Sequence, residues 1–308
     1  MTDLPKLVVE QDGEKRMFGG SWWRGGKPNF IPSRDALRQP GALERHVLAG
    51  WIPDAPFIAK TDKVTAFGSC FAKHITDYLS ARGYTLMGKD LGLQSHIIRF
   101  GEGMVNTFAI LQQLEWAIEN KEMPEDLWYS PDKECVSVDP AIRDETLRII
   151  DATDVFIITL GLTEIWYNKI NGEALWRAVP AQYFDENIHG FRVSTYQENY
   201  DNLRRIRELI RAKRPDAPLI FTLSPVPLMA TFRPISCITA SSVSKATLRV
   251  AVDQLMRDHE DDANLYYFPS YEIVKEFFVD AYKEDNRHPK DEIVIAIMQA
   301  FERHYCIP

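Results

Sequence analysis

Three stretches, Val155 to Leu160, Leu219 to Leu223 and Leu265 to Phe268, are short and apolar without alternation. An alternating strand keeps one wet face, whereas an unbroken run must be covered on both, the pattern of a central parallel strand. Parallel neighbours need crossovers, and Tyr196 to Lys213, Ser241 to His259 and Lys290 to His304 read as the helices that supply them. Arg214-Pro215 stops the first, because proline cannot continue the hydrogen-bond ladder. Upstream, Lys63 to Gly68 reads as a strand. Phe71, Ile75, Tyr78 and Leu79 then recur at helical spacing, up to a glycine stop at Arg82-Gly83. Tyr84 to Met87 reads as a short strand, and Met104, Phe108, Leu111, Leu114 and Ile118 as one face of a longer helix. The alternation predicts an α/β fold, a flavodoxin-like three-layer α/β/α sandwich around a parallel sheet.

Residues 1–57 are different. Gly19-Gly20, Gly25-Gly26-Lys27-Pro28, Pro32, Pro40-Gly41 and Pro53 break them repeatedly. Trp22, Trp23, Phe30, Trp51 and Phe57 are nevertheless too many large rings for a disordered tail. The expectation is an irregular, aromatic-rich arm packed on a main domain of residues 58–308, covering apolar surface or walling a cleft.

A net charge of −8 argues against a general nucleic-acid or anionic-membrane binder. The acidic run Asp258 to Asp262 reads as a solvated helix end. Met1 to Met17 lacks the apolar centre of a signal peptide, and no run approaches the ~20 apolar residues of a membrane span. Cys70, Cys135, Cys237 and Cys306 form no Cys-x-x-Cys pair, which suits a reducing, cytoplasmic location. There is no phosphate loop, no His-Glu-x-x-His and no histidine pair at ligand spacing, so neither cofactor nor metal is expected.

The chemistry concentrates in two runs. Phe67-Gly68-Ser69-Cys70-Phe71-Ala72 closes the first strand and opens a helix. Ser69 thus stands at the carboxyl edge of the sheet, where such folds place ligands. A helix start there aims backbone N–H groups at a developing oxyanion. Asp285-Asn286-Arg287-His288-Pro289 supplies the rest of a triad. Pro289 keeps His288 out of the helix it precedes, and Asp285 can orient the imidazole. The plainer reading makes Ser69 a helix N-cap. Cys70 is either a second candidate nucleophile, favoured as thiolate at a helix start, or a small packed residue.

Asn171-Gly172 between Ile165–Ile170 and Glu173–Val179 predicts a β-hairpin insertion, with both turn residues at positive φ. It follows Gly161 and should rise beside Ser69, bringing Trp166, Tyr167 or Trp176 to the cleft or packing them together.

These motifs carry a resemblance. Gly68-Ser69-Cys70-Phe71-Ala72 matches the signature of the GSCFA domain family, which resembles a branch of the SGNH/GDSL hydrolases. Thr159-Leu160-Gly161-Leu162-Thr163-Glu164, Ser224-Pro225-Val226-Pro227-Leu228 and Ser244-Lys245 before Leu248-Arg249 are similar in order and spacing, from roughly Asp54 to His304. The resemblance implies Ser69 as nucleophile and a late Asp-x-x-His, here Asp285 and His288. It also implies an oxyanion hole built from a glycine, such as Gly103, and an asparagine in a Gly-x-Asn-Asp segment. At that segment this chain has Gly161 followed by Thr163, and Asn106 is either a substitute amide or a helix-start residue. Glu164 could contact loop backbone or substrate. The expected activity is a serine-dependent acyl-ester hydrolase or O-acyltransferase acting on a small-molecule or carbohydrate ester. The competing expectation is a binding module that keeps the fold without the chemistry.

Overall fold

A computed structural model describes residues 7–11, 14–18, 29–88, 92–99, 103–124, 127–129, 135–136 and 138–308; Trp22 and Trp23 lie outside them. The chain forms two compact units, Met1–His46 and Val47–Pro308. The first contains a hairpin of β1 (Leu7–Gln11) and β2 (Glu14–Phe18), where the sequence reads as irregular. Trp51 and Phe57 fall in the second unit, Trp51 edge-on to Tyr267 and Phe57 stacked on Tyr266.

The second unit is built on four parallel strands in the order β3 (Val64–Gly68), β4 (Val155–Leu160), β7 (Leu219–Leu223) and β8 (Leu265–Phe268). On the open side of β3, Leu86 makes a single parallel bridge to Val64, so the predicted strand at 84–87 contributes one rung. Counted with that rung, the order is the 2-1-3-4-5 of a flavodoxin-like sheet, whose switch point falls between β3 and β4. The crevice at that point lies beyond Gly68 and Leu160.

Helices cover both faces. Phe67, Phe156, Ile158, Leu160, Phe221 and Tyr267 join one apolar cluster with α3 (Thr107–Glu119), α4 (Pro140–Ala152), α5 (Tyr196–Lys213) and α6 (Cys237–Asp258). On the other face, Phe268 packs edge-on against Phe301 and Tyr305 of α8 (Asp291–Tyr305), which lies beside α1 (Cys70–Ser80). Alternate residues of every central strand therefore have a dry partner, which is why the runs are unbroken. Two short helices, α2 (His96–Arg99) and α7 (Ser270–Glu272), complete the unit. Helix α5 starts in a full capping box, with Thr195 and Glu198 satisfying each other's backbone N–H.

The insertion differs from its prediction. Strand β5 (Glu164–Asn168) pairs with β6 (His189–Val193), and residues 173–179 add only a bridge from Ala174 to Tyr167. The chain does reverse at Asn171-Gly172, but only Gly172 has positive φ, +77°. Asn171 instead accepts the Glu173 N–H on its side chain. The returning stretch leaves the ladder after Leu175, whose N–H donates to the Trp166 carbonyl, because Leu175 and Trp176 turn into the core, while β6 pairs along the opposite edge of β5. Gly190 is required there: a Cβ would lie 2.5 Å from the Tyr167 ring.

Candidate active site

Strand β3 ends in a turn that only glycine permits. Gly68 has φ +125°, and a Cβ on it would sit 2.0 Å from the Thr159 carbonyl oxygen. The tight approach locks Ser69 to the end of β4. Its N–H donates to the Thr159 carbonyl at 3.0 Å and to the Thr159 hydroxyl at 2.6 Å. Its Oγ accepts the Phe71 N–H at 3.2 Å, the N-cap bond of α1, and lies 3.0 Å from the Thr159 hydroxyl as a further donor. Ser69 is 3% exposed. Two donors on one hydroxyl stabilise negative charge there but also occupy the lone pairs that would attack. The serine's own proton remains for an acceptor. Cys70 is the first residue of α1; its side chain lies outside what the structure describes.

The acid and histidine are joined. Asp285 Oδ2 meets His288 Nδ1 at 2.5 Å, while Oδ1 accepts the N–H groups of Arg287 and His288, each at 3.0 Å. The His288 N–H, its ring and the Arg287 N–H hold the Asp285 carboxyl well below the usual carboxylate range. Asn286, at φ +50°, makes the reversal that brings these groups together. Arg287 Nη1 lies 3.0 Å from His288 Nε2. A guanidinium can only donate, so Nε2 accepts and the ring proton rests on Nδ1, facing Asp285. Burial lowers the pKa of His74 on α1, which lies within electrostatic reach of this loop. Among the described residues, no hydrogen bond joins His288 to Ser69.

Asn106 and Gly161, two of the expected oxyanion contributors, are bonded within the fold. Asn106 is the N-cap of α3, accepting the Ala109 N–H at 2.9 Å, and its amide donates to the Trp176 carbonyl at 3.4 Å. A Cβ on Gly103 would meet the Trp176 ring at 3.2 Å. The Gly161 N–H donates to the Val105 carbonyl, and a Cβ there would come within 2.8 Å of that oxygen. Thr163 is fully buried, its N–H on Ser244 Oγ at 2.8 Å. Glu164 accepts the Thr231 hydroxyl at 2.8 Å, tying β5 to the loop after β7. Trp176 lies in the core at 2% exposure, the packing alternative of the two the sequence offers. Trp166 is half-buried among Phe184, Phe191 and Phe232.

Three residues quoted only as parts of motifs take roles the sequence reading did not assign. Thr159 clamps Ser69. Arg287 covers His288. Lys245, 3% exposed, donates to the Gly161 and Ser224 carbonyls, both at 2.7 Å, and so pins the ends of β4 and β7 together. Its signal was legible: Lys245 stands on the same helical stripe as Leu248 and Val252, where a charge must be held by buried acceptors. Among the described residues, no cluster of three or more His, Cys, Asp or Glu could hold a metal ion.

Comparison with curated proteins found no match. Among solved structures, a salicylyl-acyltransferase, SsfX3, from a tetracycline biosynthetic pathway matches at 17% identity and a TM-score of 0.28. The match covers 51% of this chain and 39% of that one. The family model is broader in reach. The GSCFA model matches residues 63–301, from the base of β3 into α8, and the chain belongs to the GSCFA family.

Proposed function

We propose that the protein hydrolyses or transfers an acyl group through a covalent acyl-enzyme. The carrying observation is the Asp285–His288 pair, held by a carboxylate that also grips two backbone N–H groups of its own loop. That arrangement fixes the tautomer a general base needs, with Nε2 as acceptor and Nδ1–H on the acid. In this reading Ser69 Oγ attacks the ester carbonyl and its proton passes to His288 Nε2, once Arg287 has withdrawn. The tetrahedral intermediate collapses with loss of the alcohol, which takes that proton. Water or a sugar hydroxyl then attacks the acyl-enzyme, gives its proton to Nε2, and releases acid or new ester. Asp285 stabilises the transient imidazolium. The SGNH resemblance makes O-acylated carbohydrate the first substrate class to offer.

A second nucleophile has a specific observation in its favour. Ser69 Oγ is committed to the α1 cap and to Thr159, and Cys70 is the next residue. A fluorophosphonate probe on the wild type and on Ser69→Ala, Cys70→Ala and His288→Ala decides. Labelling lost in Ser69→Ala and His288→Ala but kept in Cys70→Ala supports the serine route. Ester turnover should fall with it by about 10⁴-fold or more. Activity that survives Ser69→Ala and dies in Cys70→Ala moves the role to the cysteine. No labelling or turnover by folded wild type would leave a binding module.

A further inference from the structure

Beside the Asp285–His288 loop lies a cavity of about 360 Å³, within the range of small-molecule sites. It is bounded by the loop after β7, the start of α6 and residues 282–287. Its walls are of two kinds. Pro225, Leu228, Met229 and Ile238 form an apolar side, and Met229 and Ile238 are 80% and 74% exposed at its rim. Lys275 and Arg287 bring positive charge to the lining, which also includes Lys245. The acid among the lining residues is Asp285, already engaged by His288 and two backbone N–H groups.

Arg287 is the unusual member. Arg207, Arg211 and Arg249 all meet carboxylates. Among the described residues Arg287 meets none; its Nη1 donates to a neutral ring nitrogen, and its Nε–H is buried with no acceptor. A buried donor without a partner is costly, and imidazole is a weak acceptor beside a carboxylate or phosphate. While it sits on His288 Nε2, Arg287 holds the lone pair a base would use.

We propose that this cavity takes the anionic group, carboxylate or phosphate, of a substrate that also carries an apolar segment. The anion draws Arg287 off His288 Nε2, so the base is exposed only when such a substrate is bound. The proposal rests on His288 being the base of an acyl transfer, and it adds what the ester must carry: charge for Lys275 and Arg287, and an alkyl or aryl portion for Leu228, Met229 and Ile238.

The test uses binding, not turnover, so that it fails separately from the acyl-transfer reading. The full-length protein, with ¹⁵N-labelled histidine, is titrated with octyl phosphate, inorganic phosphate and octyl glucoside. Octyl phosphate should bind and move the His288 Nε2 resonance, and each of the other two should bind at least about tenfold more weakly. Arg287→Gln should weaken octyl phosphate about tenfold or more and place the ligand-free Nε2 resonance near its ligand-bound position. Lys275→Gln should weaken binding while leaving the ligand-free resonance in place. Octyl phosphate binding that leaves Nε2 unmoved, or no binding at all, overturns the proposal. Equal affinity for inorganic phosphate removes its apolar half, and undiminished affinity in Arg287→Gln removes the arginine's part.

Discussion

Gly68, Ser69 and Thr159 act as one joint. The positive φ of Gly68 lets two backbones approach, Thr159 fills the gap with a hydroxyl, and Ser69 is placed as a result. Gly68→Ala should therefore destabilise by at least about 3 kcal/mol, because φ strain adds to a backbone collision that neither strand can relieve. Urea unfolding measures it; a loss below about 1 kcal/mol would mean the turn can relax. Ser69, Asp285 and His288 each stand in a recognisable sequence context. The contact of Ser69 with Thr159 was not legible there. Thr159 lies ninety positions away along the chain, and no local pattern announces that its side chain will reach Ser69.

Elements were legible in proportion to their burial on two sides. The runs that became β4, β7 and β8, and the periodic stretch that became α5, match their predicted ranges. Helix α6 starts at Cys237, ahead of the predicted Ser241, and α4 was not among the predicted helices. The second arm of the hairpin was read too long, because a strong turn signal says where a chain reverses, not how long the two arms stay together. Two consequences can be measured. Trp176→Ala should cost about 3–5 kcal/mol by emptying a core position. Trp166→Ala should cost below about 2 kcal/mol, while freeing Phe232 and raising proteolysis of the 228–236 loop. Similar losses would contradict the burial difference. The second concerns α2, where burial lowers the pKa of His96 to about 4 as its ring stacks on Trp116. Its contribution is complete above the ordinary value of 6.5, declines as pH falls from there to about 4, and is exhausted below. Integrated, it amounts to about 3 kcal/mol. His96→Phe should flatten the stability curve over that window, and an unchanged slope would reject the assignment.

At the scale of the whole molecule, the second unit carries a large apolar cluster of its own, from Phe67 to Tyr267. A chain beginning at Val47 is expected to fold with the far-ultraviolet dichroism of an α/β domain and a cooperative melt. A non-cooperative melt would show that the first unit is needed to complete the second. Fold class was readable at this scale because alternation of dry strands and amphipathic helices admits few topologies. The two-unit division was not, since aromatic content marks order without saying which body a ring joins.

The pairing of β3 with β4 also sets a timetable. Val64 waits for Val155, and Ser69 for Thr159, so the first strand of the sheet leaves the ribosome long before its inner neighbour exists. At translation speeds of about 5–20 residues per second, the delay is on the order of ten seconds. Throughout it an apolar strand and its serine turn stand unpaired, in a topology whose non-local contacts close slowly. The nascent chain is thus most open to aggregation, and most in need of a chaperone, between the synthesis of those two strands.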